Sequence, residues 1–281
     1  MPEKNWTITQ MNRFRELGLD PDEIPATDSL DKDLNRAFQT IEKQRVRDLR
    51  KEMAHLLTQT RKTRFRLLCD NLEQALFQNG FTSVTTPLII SGHALEKMGV
   101  GTDHPLSKQV FWINTRQCLR PMLAPNLYSL MQDFSRLGQR PVRFFEIGSC
   151  FRKESSGALH SNEFTMLNLV EMGLPSGDRH QRLEDLAGTV MEAAGITDYA
   201  FETEDSEVYG TTVDVVAGPK GVEVASGAMG PHALDNAWGI TDTWVGMGFG
   251  LERLIMVSQA DNTIGRWSKG LSWLDGIPLK I

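Results

Sequence analysis

Only three cysteines occur in 281 residues, Cys69, Cys118 and Cys150. None stands in a C-x-x-C pair or at ligand spacing from a histidine, which argues against a zinc site or a disulfide framework and leaves buried, reduced thiols. Long apolar runs are missing as well. No stretch approaches the roughly 20 residues that span a bilayer, and the charged start MPEKNWTITQ lacks an apolar signal core, so a soluble, cytoplasmic protein is expected. Neither an internal repeat nor a low-complexity tract occurs. An overall basic excess is also absent, since the net charge is −6.

What is present is a chain with 40% hydrophobic residues, enough for a substantial core. Its charge is uneven: nine Lys or Arg fall between residues 42 and 66 against three acids. Lys43, Arg45, Arg47, Arg50 and Lys51 lead that run. Two readings stand side by side, a solvated helical face and a surface that tracks phosphates although the whole molecule is acidic.

Ile8, Met11, Phe14 and Leu17 recur at helical spacing and stop at Gly18, and a second helix is expected from near Asp28 through the basic run. A third, from about Thr63 to Asn79, carries Phe65, Leu68, Leu72, Ala75 and Leu76 on one face and ends at Gly80. Phe81 to Thr86 alternates as a strand and is halted by Pro87. Strands are expected at Gln109–Ile113, Cys118–Met122, Val142–Ile147, Cys150–Lys153, Phe164–Glu171, Gly210–Val216, Val222–Ser226 and Trp244–Gly250. Helices intervene at about 125–137, 178–194 and 250–259. Strands without regular βαβ alternation predict an α+β fold, an antiparallel sheet flanked by helices and preceded by N-terminal helices. The expected division is a helical segment at 1–60 and a main domain at 61–281.

Two arginines stand in unusual runs, Arg152 in CFRKES (150–155) and Arg253 in GMGFGLERL (246–254). A guanidinium held by strand backbone suits a phosphate, because its planar fork donates parallel hydrogen bonds and keeps its charge. Gly246, Gly248 and Gly250 alternate at strand period and run into a helix. A dinucleotide fingerprint would space its third glycine differently and sit early in a βαβ unit, so that reading is rejected.

These two runs resemble motifs 2 and 3 of the class II aminoacyl-tRNA synthetases, and the helix, strand and Pro87 resemble motif 1, which builds their dimer interface. LRPMLAPNLY (119–128), FEIGSCFRKES (145–155), EFTMLN (163–168), VYG (208–210), VDV (213–215) and WVGMGFGLERL (244–254) are similar to the pyrrolysyl-tRNA synthetase family. The similarity runs from about Thr82 to the end with the motifs in family order. The N-terminal part lacks the length and ligands of the zinc-containing tRNA-binding domain found in long archaeal members. It is similar to the free-standing bacterial form, whose tRNA-binding half is encoded separately.

The resemblance implies a homodimer that activates pyrrolysine with ATP and Mg2+ and transfers it to its cognate tRNA(Pyl). Arg152 and Arg253 are then the catalytic residues, gripping the α-phosphate and the γ-phosphate end. Glu154 would read the adenine amino group, Phe164 would stack on the ring, and His160 would close over the nucleotide. Glu223 and Ser226 would hold Mg2+, although three residues apart on a simple strand they point to opposite faces, and the expected remedy is a bend near Gly227. Ala124, Leu127, Tyr128, Asn168, Val170, Tyr209 and Trp244 would line the amino acid pocket. None of the seven is acidic, so a lysine ammonium would be buried unpaired, whereas an amide-capped side chain needs apolar volume and one hydrogen bond, from Asn168. Val170 departs from the Cys of many archaeal members. The basic stretch led by Lys43 would face tRNA. Two alternatives stay open: a class II synthetase for another bulky amino acid, and a non-catalytic synthetase-like subunit that binds RNA or a partner.

Overall fold

The computed structural model describes residues 6–19, 24, 31–153, 157–206 and 210–281. In chain order the elements are α1 (Ile8–Glu16), α2 (Asp31–Thr58), α3 (Arg64–Gln78), β1 (Thr82–Ser83), β2 (Ile89–Ser91), α4 (Gly92–Lys97), α5 (Pro105–Gln109), β3 (Gln117–Leu119), α6 (Ala124–Ser135) and β4 (Val142–Phe151). After them come β5 (Glu163–Met172), α7 (Arg179–Ala193), β6 (Tyr199–Ser206), β7 (Gly210–Ala217), β8 (Val222–Gly230), β9 (Trp244–Gly250), α8 (Leu251–Ser258), β10 (Trp273–Leu274) and β11 (Ile277–Pro278).

The chain divides into two compact units, residues 1–63 with 270–281, and residues 64–269. The division expected at residue 60 assigned the last twelve residues to the second unit; they group with the first. In the first unit, Thr7 and Gln10 close a capping box at the start of α1, satisfying two helix-end donors reciprocally. Phe14 is fully buried against Trp6 and Phe38, with ring centroids 5.3 and 5.1 Å away. Gly18 then takes φ +73°, which ends the helix as its position in the sequence predicts.

The second unit is built on a seven-stranded sheet of order β1-β4-β5-β9-β8-β7-β6, antiparallel except for the β1–β4 pair. Alternation sorts its residues by face. Phe145, Leu167, Leu169, Val245, Met247 and Phe249 point to one side, where Leu68, Leu72 and Leu76 of α3 join Leu183, Leu186 and Val190 of α7 in the larger core. The other side carries Phe144, Val170, Met172 and Trp244 under α6, and beside them Gly246, Gly248 and Gly250 leave the floor bare.

Several boundaries differ from expectation. Val142–Ile147 and the first two residues of Cys150–Lys153 form one strand, β4, because Gly148 and Ser149 keep pairing with Met166 and Thr165, while Arg152 and Lys153 lie beyond its end. Gln109–Ile113 is not a strand: His104 caps and Pro105 initiates α5, and only Trp112 bridges to Cys118. β3 stops at Leu119, ahead of Pro121. Of Phe81–Thr86, only Thr82 and Ser83 join the ladder. β8 continues past Ser226 to Gly230, and the acid-rich edge strand β6 carried no strand signal.

Candidate active site

Over the bare glycine floor lies a cavity of about 500 Å³. One cross-strand row supplies its polar floor: Asn168 pairs with Gly248, Gly248 with Ser226, and Ser226 with Asp214. Antiparallel partners share a face, so these side chains project the same way. Glycine at 248 is demanded by space, since a Cβ there would sit 3.0 Å from Asn168 Oδ1 and 3.1 Å from Met166 Cε.

Arg152 and Arg253, about a hundred residues apart, line this single cavity. Arg152 follows the end of β4; its N–H donates to Asn162 and its Nε to the Pro121 carbonyl at 2.8 Å, which fixes the guanidinium plane 5.2 Å from the Phe164 ring centroid. Pro121 is itself anchored by its neighbour. The buried Arg120 donates to the Ser149 and Thr86 carbonyls and pairs with buried Glu146 at 2.8 Å. Arg253 leaves the first turn of α8 and donates to the Glu223 carbonyl at 2.9 Å, with its Nη1 3.7 Å from the Glu223 carboxylate. His160 is exposed at the cavity rim. Glu154 and Tyr209 lie outside the described residues.

Glu252 ties these parts together. Both its carboxylate oxygens accept from Thr165 N–H at 2.9 Å, so the start of α8 is clamped to the strand that carries Phe164. Burial pushes its carboxyl above the ordinary range, and the Thr165 N–H pulls it partly back.

Glu223 and Ser226 reach one face after all, by a device other than a bend at Gly227. Val215 pairs with Ala225, but Val216 pairs with Glu223, so Val224 is the extra residue of a β-bulge. That residue flips the alternation and brings the carboxylate and the hydroxyl into the same cavity. Beside Ser226, the largely buried Asp214 has one carboxylate oxygen, Oδ1, without a hydrogen-bond partner. Among the described residues no three His, Cys, Asp or Glu form a metal cage. A carboxylate, a hydroxyl and an orphaned carboxylate oxygen instead fit a hard divalent cation that keeps waters and takes other oxygens from phosphates.

At the opposite end, α6 presents Ala124, Leu127 and Tyr128, β5 presents Asn168 and Val170, and β9 presents Trp244. Five of these are apolar or aromatic and buried; the Asn168 Oδ1 is buried with no partner. Such an amide is what a polar atom of a ligand would satisfy. Sequence reasoning missed Met131, which follows Leu127 and Tyr128 at helical spacing and was legible from that periodicity. It also missed Asp235, whose contacts join elements far apart in sequence.

On α2, Lys43, Arg47, Arg50 and Lys51 form one exposed stripe with Val46 and Ala54. Arg45 does not belong to it: it donates to the Leu17 carbonyl and pairs with Glu52 at 3.2 Å.

The model for "tRNA synthetases class II core domain (F)" matches residues 48–266. The crystal structure of pyrrolysyl-tRNA synthetase from Desulfitobacterium hafniense is 49% identical, with a TM-score of 0.91 and 99% of each chain covered. A second structure, of the same organism's pyrrolysyl tRNA synthetase PylSc, is 48% identical with a TM-score of 0.88, covering 98% of this chain and 95% of that one. A threonine--tRNA ligase of Clostridium perfringens is 31% identical over 148 residues, and one of Wolbachia from Brugia malayi is 28% identical over 103. The chain spans only 22% and 16% of those two ligases' length.

Proposed function

Because the chain belongs to the class II aminoacyl-tRNA synthetases and, within them, to the pyrrolysyl-tRNA synthetase family, we propose that it activates pyrrolysine with ATP and ligates it to tRNA(Pyl). The observation that carries this reading is that Arg152 and Arg253 line one cavity whose far end is apolar and holds the unsatisfied amide oxygen of Asn168.

The amino acid carboxylate is ionised at neutral pH, so its attack on the α-phosphorus needs alignment and charge compensation rather than a general base. Arg152, one of the residues lining the cavity, offsets charge where carboxylate and α-phosphate meet. Phe164 takes the adenine ring against its face. Arg253, held at the Glu223 end, receives the terminal phosphates. Glu223 and Ser226 would hold Mg2+, with Asp214 adjoining; the bound ion would neutralise phosphate oxygens and assist departure of pyrophosphate. Transfer then proceeds by attack of the terminal ribose hydroxyl of the tRNA on the adenylate carbonyl, which breaks the carbonyl–phosphate bond and releases AMP, the hydroxyl proton passing to the departing phosphate or solvent.

Asn168 meets the amide of the substrate side chain, its orphaned Oδ1 ready to accept an N–H and its Nδ2 to donate to the carbonyl, and Ala124, Leu127, Tyr128, Val170 and Trp244 enclose its ring. Among the described residues at that end, none offers a carboxylate to a free ammonium. The exposed α2 stripe of Lys43, Arg47, Arg50 and Lys51 is the tRNA-facing surface of this reading, with Arg45 outside it. We further assign the protein to the cytoplasm as a homodimer through α3 and the Pro87 segment, working with a separately encoded tRNA-binding protein. Among the described residues no helix is long and apolar enough to cross a membrane.

Pyrophosphate exchange into ATP with pyrrolysine, lysine and phenylalanine offered singly tests the reading. Exchange with pyrrolysine at least about tenfold above the other two is expected. Equal or greater exchange with phenylalanine would transfer the assignment to another class II specificity, and none with any of them would favour the non-catalytic alternative.

A further inference from the structure

Asp235 is 1% exposed and lies behind the aromatic wall of the cavity, in a 3-10 turn spanning Ala233–Trp238. It accepts from three separate places in the chain. Tyr128 Oη on α6 donates to Oδ1 at 3.0 Å, Trp244 Nε1 on β9 donates to Oδ2 at 2.9 Å, and the His232 backbone N–H donates to Oδ2 at 2.9 Å. The His232 ring closes the cluster, with Nε2 3.3 Å from Tyr128 Oη. Tyr128 and Trp244 meet edge to face at 5.8 Å, and Trp238 at the end of the same turn packs on Tyr128 at 5.5 Å. The indole has room because its cross-strand partner is Gly230: a Cβ there would collide with Trp244 Nε1.

An ionised carboxylate only accepts, so it draws donors toward itself. Tyr has one O–H and Trp one N–H, and here both go to Asp235, which does not line the cavity. Among the described residues the wall therefore offers the ligand ring surface without hydrogen-bond donors, and the orphaned Asn168 Oδ1 belongs to the same cavity. A buried polar group left unpaired discriminates strongly between ligands that satisfy it and ligands that do not, whereas apolar contacts discriminate weakly. Extra donors on the wall would blunt that contrast by welcoming other polar side chains.

We propose that Asp235 is a positioning residue that sets amino acid specificity: by holding the Tyr128 hydroxyl and the Trp244 indole N–H behind the wall, it reserves polar recognition for Asn168. This rests on the amino acid activation reading above. It also gives an acid outside the seven expected amino acid pocket residues a role, since the Asp235 oxygens are engaged by Tyr128, Trp244 and the His232 N–H, with the His232 Nε2 3.8 Å from Oδ1, and are not offered to a substrate ammonium.

The test is pyrophosphate exchange on the full chain with Asp235→Asn, Tyr128→Phe and the double variant, titrating pyrrolysine and ATP separately. Asp235→Asn keeps the size but replaces one acceptor by a donor, which cannot serve both Tyr128 and Trp244. The expected result is a pyrrolysine KM raised about tenfold with the ATP KM within about twofold, and a smaller margin over phenylalanine. Because Tyr128 acts through Asp235, the double variant should lose no more than about twofold beyond Asp235→Asn alone. An unchanged pyrrolysine KM, losses that multiply, or a parallel rise in the ATP KM would overturn the role. Should Asp235→Asn fail to fold, Tyr128→Phe decides alone: a KM for pyrrolysine raised about threefold supports the proposal and an unchanged one overturns it. Exchange by the unsubstituted protein separates the two levels. With it present, an unaffected variant refutes only Asp235; with it absent, the activation reading fails and this inference with it.

Discussion

Asn168 and Ser226 stand in one cross-strand row with only Gly248 between them, so the amide of the amino acid end and the hydroxyl of the cation end share a floor with no side chain in the middle. Gly248→Ala would put a methyl 3.0 Å from the Asn168 amide, tighter than packing accepts. Overpacking of this kind disturbs local geometry by about 1–3 kcal/mol. The expected outcome is a fall of about tenfold in kcat/KM for the amino acid with the fold retained, read by exchange kinetics and circular dichroism. Unaltered kinetics would show that Asn168 need not hold this position.

The Arg120–Glu146 pair joins the segment before Pro87 to β4 and, through Pro121, aims Arg152. Both partners are 2% exposed, so removing one leaves an uncompensated buried charge. Glu146→Ala should lower the unfolding free energy by about 3–5 kcal/mol in urea titration. A paired apolar replacement, Arg120→Met with Glu146→Leu, should restore much of that stability while activity stays low, because Arg152 loses its anchored neighbour. Full activity in the stable double variant would mean that Arg152 needs no such support.

The three thiols supply a pH test. Burial pushes Cys69 and Cys118 up to about 11 and Cys150 up to about 12, from an ordinary 9.0. Each is neutral in the native protein at pH 8, and alkylation should require unfolding. The sign for stability follows from linkage: a folded value above the unfolded one gives a contribution that is complete below pH 9 and is lost as pH rises through the folded value. Urea midpoints should therefore decline from about pH 9 upward. Rapid iodoacetamide labelling of the native chain at pH 8 would contradict this burial.

The α2 stripe divides the basic residues into two groups with different expected effects. Reversing Arg47 and Arg50 to Glu should weaken binding of tRNA about tenfold or more at moderate salt and flatten its salt dependence. Arg45→Ala should leave RNA affinity within about twofold, since its guanidinium is occupied by Leu17 and Glu52. Filter binding at several ionic strengths measures both; equal losses from the two changes would refute the distinction.

Local patterns made the central parts of the fold legible, and long-range geometry hid the rest. The glycine alternation of Trp244–Gly250 predicted β9 to the residue, because period-two patterning needs no tertiary information. Gly148 and Ser149 looked like an interruption; they continue β4, and the absent Cβ of Gly148 makes room for Arg120, whose Nη2 would lie 2.2 Å from it. The bulge at Val224 left no mark that composition could reveal, so Glu223 and Ser226 seemed misaligned when read as a simple strand. β6 was overlooked because YAFETEDS is rich in acids that strands usually avoid. Asp235 was invisible for a different reason: its partners Tyr128 and Trp244 come to it only when α6 and β9 pack together.

The most direct test of the whole account is pyrrolysine-dependent exchange of pyrophosphate into ATP by Arg152→Ala and Arg253→Ala, with thermal melts as a control for folding. If the two guanidiniums hold opposite ends of one triphosphate, each variant should melt near the parent temperature and lose exchange by about a thousandfold. A folded variant of either kind that exchanges at close to the parent rate would contradict it.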